Sequence, residues 1–238
     1  MNTSIKQFKA VAEFMKVCGQ EVNDSIKYPS TKVGKFRLRL IHEEIHGKNE
    51  LVDSVNNDKA VGILDGLCDI LYVVYGAYAT FGIEVPFYNL EHTKTNGNNI
   101  LPMNDALLMV RHINDAYEQL ERGLISGDQR TVIYALSHLI MNCSLMAKAS
   151  DFDLVGAFEE VHNSNMSKFC SSEEEALETI KIRSQSDDAD ERAKYVPDEV
   201  YVEKNVVNGV EYYAIKRKAD GKGLKGIKFF EPDLSKYL

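Results

Sequence analysis

Five carboxylates in one short stretch carry most of the chemistry legible in this 238-residue sequence: Glu43, Glu44, Glu50, Asp65 and Asp69. With helices over 35–55 and 59–83, Glu43 and Glu50 stand seven residues apart and share a face, while Asp65 and Asp69 are one turn apart on the next helix. Asn56-Asn57-Asp58 is a turn and cap signal between the two. It lies about seven residues from Glu50 and from Asp65, so folding back there sets the acidic groups at matching heights. Asp65 and Asp69 sit in the otherwise apolar run GILDGLCDILYVVYG, where an uncompensated carboxylate costs roughly several kcal/mol. Two ways of neutralising them are open. They pair with Arg37, Arg39 or Lys48, or they hold a hard divalent cation, Mg²⁺ or Mn²⁺, which keeps waters and takes phosphate oxygens in the rest of its shell.

The elements that must position these groups are mainly helical. Ile5, Phe8, Val11, Ala12, Met15 and Cys18 recur at helical spacing over 4–20, and a polar link, 21–34, follows. Phe36, Leu38, Leu40, Ile41 and Ile45 place a long helix over 35–55, interrupted at Gly47, and 59–83 reads as a buried helix ending at FGI and Pro86. A loop rich in Asn and Gly spans 89–104. Helices over 104–124 and 128–149, joined by Ser126-Gly127-Asp128, repeat the hairpin layout. Setting Asn57-Asp58 on Gly127-Asp128 answers Asp65 and Asp69 with Ala135 and Leu139, as a duplicated hairpin without the acidic chemistry would do. One more helix fits 151–169, and 172–194 is strongly charged. From 200 the period changes, and YVEKNVV and VEYYAIKR alternate about Asn208-Gly209, a two-residue β-hairpin turn. The division expected is an all-α core over 1–170 and a charged helix, β-hairpin and Lys-rich tail over 171–238.

Composition narrows the function classes. A net charge of -8 disfavours general nucleic-acid binding. Residues 204–228 nonetheless gather seven Lys/Arg against Glu211 and Asp220, and an acidic centre with a basic tail suits a metal-bound polyphosphate. Cys18, Cys68, Cys143 and Cys170 form no CxxC pair, which argues against a zinc knuckle or a disulfide framework. The N-terminus has no apolar h-region and no run of 18 apolar residues occurs, so no membrane association and a cytoplasmic location are expected. The six histidines, at 42, 46, 92, 112, 138 and 162, show no HExxH spacing; His42 and His46 are one turn apart beside the carboxylates. Neither a P-loop nor a dinucleotide-binding glycine motif is present.

RLRLIHEEIHGKNELVDSV followed by GILDGLCDILYVVYGAYATFGI resembles the signature of the all-α nucleotide pyrophosphohydrolases, the MazG-like and phosphoribosyl-ATP pyrophosphohydrolase-like superfamily. Its motif is a Glu-Glu-x-x-Glu segment and, on the next helix, an acidic motif ending in Asp. Glu43-Glu44 match the opening, Glu50 the third Glu, and Asp65-x-x-x-Asp69 a DxLxD form of the second motif. Two departures stand out. Glu44 to Glu50 is three residues longer than the usual pattern, as a local helical bulge would allow, and Gly66 occupies the place of a common Glu ligand. Downstream, FEEVHNSNMSK (158–168) and IKRKADGKGLKGIKFFEPDL (215–234) look like the SNxxK helix and DGKxxKG turn of the phosphoribosyl-ATP pyrophosphohydrolase-like branch. The matching segments, 35–83, 151–169 and 213–234, cover under half the chain, and such proteins are often phage-encoded.

The resemblance implies a mainly α, MazG-like helical bundle with an added helical hairpin and a small C-terminal β-hairpin. It implies a Mg²⁺-dependent enzyme, with Mn²⁺ as a substitute, that cuts a (deoxy)nucleoside triphosphate to monophosphate and pyrophosphate. Glu43, Glu44, Glu50, Asp65 and Asp69 would hold the metal, and Glu43 or Glu44 would act as base. Asn165 and Lys168, three apart on one helix face, and Lys222 and Lys225, about a Gly-rich turn, would bind substrate phosphates. Tyr72, Tyr75 or Phe87 would suit base stacking, although core packing is the commoner fate of such residues. A homodimer or homotetramer is implied as well. Phosphoribosyl-ATP or an alarmone as substrate, and a catalytically inactive nucleotide-binding regulator, are the alternatives.

Overall fold

The structure, a computed structural model, describes residues 3–90 and 101–238. Most of the expected 89–104 loop, with His92, lies outside the described residues. The fold is mainly helical, with one two-stranded antiparallel sheet. The chain divides into two compact units. The first comprises Met1–Ala12, Val22–Val161 and Asp233–Leu238; the second comprises Glu13–Glu21 and His162–Pro232.

After helix α1 (Thr3–Val17), the first unit is built on α2 (Thr31–His46), α3 (Leu51–Asn56) and α4 (Ala60–Phe81). Ser30 caps α2, its Oγ accepting the Val33 N–H, and Leu38, Ile41 and Ile45 make its buried stripe. Helix α4 buries side chains on nearly every side, Tyr75, Tyr78, Phe81, Leu64, Leu67, Ile70 and Leu71 among them, as its near-continuous apolar sequence requires. It stops at Gly82, whose left-handed backbone (φ 62°) closes the cap, and where a Cβ would lie 1.9 Å from the Ser25 carbonyl oxygen. Helix α2 runs antiparallel to α4. The Arg37 guanidinium donates to Thr80 Oγ1 (2.5 Å) at one end, and Glu44 meets Asp69 at the other.

The second hairpin of this unit, α5 (Met103–Ser126) and α6 (Gln129–Ala149), turns at Gly127 (φ 73°) and is capped by Asp128, whose carboxylate accepts the Arg130 and Thr131 N–H groups. Tyr78 Oη and Ser137 Oγ, 2.9 Å apart, tie α4 to α6. Helices α4 and α6 are both long and apolar enough by length and composition to cross a membrane. That qualifies the sequence expectation, which rested on uninterrupted apolar runs alone. Both also supply core residues of the bundle.

Helix α7 (Leu154–Met166) leads into the second unit, where the charged stretch forms α8 (Glu173–Arg183) and α9 (Ala189–Lys194). Strands β1 (Val200–Val207) and β2 (Val210–Arg217) pair from Val207↔Val210 to Val200↔Arg217, and Asn208 and Gly209 both have positive φ, as the two-residue turn demands. Cys170, Ala176, Ile180, Tyr195, Val200, Ile215 and Leu224 form a small core. Lys216 is buried on this sheet, its ammonium satisfied by Glu203 (2.8 Å) and the Cys18 carbonyl (2.6 Å).

Candidate functional site

The segment from His46 to Leu51 departs from the expected single helix. Helix α2 ends at His46, Gly47 turns to extended backbone (φ -62°, ψ 167°), Asn49 takes a left-handed conformation (φ 68°), and α3 restarts at Leu51 with Glu50 as its N-cap residue. The three extra residues between Glu44 and Glu50 therefore form a full helix break, not a bulge. Asn49 N–H donates to Asp53 and Ser54 Oγ donates to the Asn49 carbonyl, so the break is a closed local structure.

What α3 rests on explains Gly66. A Cβ there would lie 2.9 Å from Leu51 N and 3.0 Å from Leu51 Cα, and one on Gly62, a turn earlier, would lie 2.4 Å from Ser54 Oγ. These two glycines make a side-chain-free track on α4 that lets the α3 backbone approach closely. Glu50 is thereby carried onto the acidic end of α4, with its Cγ 2.8 Å from where a Gly47 Cβ would stand. The position that lacks a common acidic ligand thus provides the contact that seats another.

Glu44, Glu50 and Asp69 each offer a carboxylate oxygen, all within 4.8 Å of one another, and all three side chains are half-buried. Burial first, and the charge of neighbouring Asp65 second, raise the Glu50 carboxyl above its ordinary range, so Asp65 acts on the cluster from outside the group of three. Converging hard-oxygen donors with like-charge repulsion between them fit a divalent cation of the Mg²⁺ class. Glu43 is not brought into this group. It is exposed and pairs with Arg39, 3.4 Å away on its own helix. The seven-residue spacing that put Glu43 and Glu50 on one face holds only for a continuous helix; with the break, Glu44 is the residue that faces Glu50.

The cationic partners considered for the aspartates lie elsewhere. Arg37 bonds to Thr80, eleven residues past Asp69 or roughly 16 Å along α4, and burial pushes its pKa down to about 10. Arg39 is with Glu43, and Lys48 makes no ion pair among the described residues. Beside the cluster on α2, the His42 and His46 rings are 4.7 Å apart, and His42 lies 5.7 Å from the Tyr117 ring of α5. Burial, then His42, lowers the His46 pKa, and neighbouring Asn114 opposes that shift. Tyr72 stacks on Phe158 (5.6 Å) and Tyr75 donates to Gln7 Oε1 (3.0 Å), so both are core residues, whereas Phe87 is 73% exposed.

In the second unit, Lys168, Lys222 and Lys225 line one cavity of about 490 Å³. Their convergence is built by backbone: Gly226 N–H donates to the Lys168 carbonyl (2.9 Å), and a Cβ on Gly226 would lie 2.9 Å from that oxygen. Arg217 pairs with Asp220, whose Oδ1 accepts the Lys222 N–H, and Gly221 (φ 70°) completes the turn. Asn165 is not in the lining. Its amide oxygen accepts from the Lys168 ammonium (2.5 Å), so it orients a cation that does line the cavity. Sequence reasoning did not single out Arg183, Lys194 and Arg217, which share the lining. The charged character of 172–194 was visible, but nothing in its spacing tied it to the DGK turn.

A model of the phosphoribosyl-ATP pyrophosphohydrolase family matches residues 11–92, the segment that contains α2, α3 and α4. An uncharacterized protein of Acanthamoeba polyphaga mimivirus is 32% identical over 251 residues, spanning 97% of this chain and 95% of its own. No solved structure matches.

Proposed function

Because the chain belongs to the MazG-like all-α nucleotide pyrophosphohydrolases, through its phosphoribosyl-ATP pyrophosphohydrolase domain, we propose that it hydrolyses a (deoxy)nucleoside triphosphate to monophosphate and pyrophosphate with Mg²⁺. The observation that carries the reading is the convergence of Glu44, Glu50 and Asp69 within 4.8 Å, with Asp65 close enough to raise the Glu50 carboxyl.

In this reading Glu44, Glu50 and Asp69, supported by Asp65, would hold the cation, which would supply charge neutralisation for the phosphate oxygens and a more acidic water. Water attacks the α-phosphorus: the new P–O bond forms as the α–β anhydride bond breaks, and pyrophosphate carries away the bonding pair. Glu44, at the end of α2, accepts the proton of the attacking water. Glu43 is left out of the machinery, since its exposed pair with Arg39 points to a solvated role. Lys168, Lys222 and Lys225 of the second unit are the phosphate-binding cations of this reading, and Asn165 holds Lys168 in position. Homo-oligomerisation belongs to the reading too; exposed Leu107 and Leu108 on α5 and Tyr134 and Leu145 on α6 support it, and sedimentation velocity tests it. A cytoplasmic location completes it.

The test is to incubate the full chain and Glu50→Gln with the common ribo- and deoxyribonucleoside triphosphates, phosphoribosyl-ATP and an alarmone, each with Mg²⁺. Pyrophosphate with monophosphate from the wild type alone is the expected result. Turnover of phosphoribosyl-ATP only would move the substrate to the one named by the matching family. Nucleotide binding without any product would make the chain a regulator, and orthophosphate release would sink the reaction type.

A further inference from the structure

The cavity of the second unit is more strongly built than three phosphate-binding lysines require. Six cations line it: Lys168, Arg183, Lys194, Arg217, Lys222 and Lys225, against Asp188 and Glu191. Counting also Asp220 and Glu231, which pair with Arg217 and Lys225, positive charge remains in excess within a chain of net charge -8. Lys194 and Lys222 have no carboxylate within ion-pair distance among the described residues, and both are exposed toward solvent.

The surrounding frame is fixed. Arg183 pairs with Glu191, donates to the Gly226 carbonyl (3.1 Å) and lies over the Tyr195 ring, while its buried Nε has no hydrogen-bond partner. Tyr195 Oη donates to the Lys225 carbonyl (2.6 Å), and Leu224 N–H donates to the Ile215 carbonyl (2.8 Å), so the loop bearing Lys222 and Lys225 is anchored to the hairpin. Gly223, also in the lining, needs no positive φ, and a Cβ there would meet nothing within 4 Å. Packing therefore does not demand glycine at that position; space left open in front of the backbone suits a ligand. A volume of about 490 Å³ accommodates a polyphosphate.

We propose that this cavity binds a polyphosphate anion without a divalent cation, using Lys194 and Arg217 in addition to Lys168, Lys222 and Lys225. The proposal rests on the phosphate-binding role given above to the last three and extends it to a site that holds pyrophosphate, free or as part of a nucleoside triphosphate, on its own. Ion-paired Arg183 shares the lining, and Lys194, at the end of α9, adds a cation from a different element than the DGK turn. Like charges gathered around one void repel, and a bound anion relieves that repulsion.

Calorimetric titration of the full chain with sodium pyrophosphate, at low salt and with EDTA, tests the site apart from turnover. The wild type should bind, and Glu50→Gln should bind equally. Lys194→Glu should weaken binding by about tenfold or more, the range of a lost charge-assisted contact. Lys148→Glu, an exposed charge change on α6, should have no effect. Competition by a nucleoside triphosphate but not by the monophosphate would show that the triphosphate tail uses the same cavity; competition by neither would restrict the site to free pyrophosphate, and both results support a polyphosphate pocket. Absence of metal-free binding, or equal affinity in Lys194→Glu and the wild type, would overturn it while leaving pyrophosphate release in the substrate panel untouched. Failure of the proposed reaction shows the other way, as wild-type protein that binds pyrophosphate but releases none.

Discussion

The first unit contains two helical hairpins that turn at comparable signals and differ in what crosses their faces. In α5–α6 the partner of α6 is one uninterrupted 24-residue helix, and the positions that answer Asp65 and Asp69, Ala135 and Leu139, are fully buried. In α2–α3–α4 the partner is broken over Gly47–Glu50, and its second piece lies on a glycine track. The continuous helix gathers no group of converging carboxylates among the described residues. The broken one aims two carboxylates from different backbone segments at a third on α4. The convergence of carboxylates here comes from interrupting regular structure, with glycines that let the interruption sit close.

The largest effect expected from breaking this contrast is at Glu50. Glu50→Gln should lower kcat by at least roughly 10- to 100-fold, the range that even supporting groups around a metal cost, while the melting temperature of the metal-free protein should hold or rise. Glu118→Gln, on the continuous helix and paired only with Arg122 across the surface, should change neither. Equal losses in both would mean that the two hairpins do not differ in chemistry.

Gly66→Ala comes next. Its new methyl meets Leu51 backbone atoms and not a flexible side-chain tip, so overpacking of about 1–3 kcal/mol is expected, with a loss of turnover from a displaced Glu50. Gly127→Ala, in the turn of the other hairpin where nothing lies within 4 Å, suffers only its left-handed backbone, so a loss of about 1 kcal/mol is expected in thermal melts, with full activity retained in rate assays.

The raised Glu50 carboxyl gives a pH-dependent comparison. A carboxyl whose pKa is higher in the folded state favours folding while protonated. That stability is complete below its ordinary pKa and is lost as pH rises through the raised value. Melting temperatures without metal should therefore fall over that window, and Mg²⁺ should restore stability above it and contribute little below it. A Mg²⁺ increment independent of pH would sever the cluster from the metal. The smallest effect is reserved for Asp128→Ala, which removes the α6 cap; a drop of a few degrees in melting temperature with unchanged turnover per folded molecule is expected.

Much of this architecture was readable before the coordinates. Periodicity located α4, α5, α6 and the β-hairpin because each has a strong local signal: an apolar run, a Gly-Asp junction, an Asn-Gly turn. The break after His46 was written in the same kind of signal, Gly47 and Asn49, two residues that adopt non-helical backbone readily. Its effect on rotation was not. Removing one stretch of helix decides which of two adjacent glutamates faces Glu50, so Glu44 stays with the cluster while Glu43 is left outside it. The cavity lined by Lys168, Lys194 and Lys222 was beyond periodicity altogether, because it depends on contacts between residues far apart in the chain, such as Gly226 against Lys168.

Helix α3 is only six residues long, well short of what holds a helix together by itself in water. Its persistence therefore depends on the glycine track beneath it, and a cation held by Glu50, Glu44 and Asp69 would add to that support. The amides of Leu51–Asn56 should accordingly exchange with deuterium readily in chelator and slow when the cation is added, reporting occupancy of the acidic cluster through a segment whose own side chains need not touch the ion.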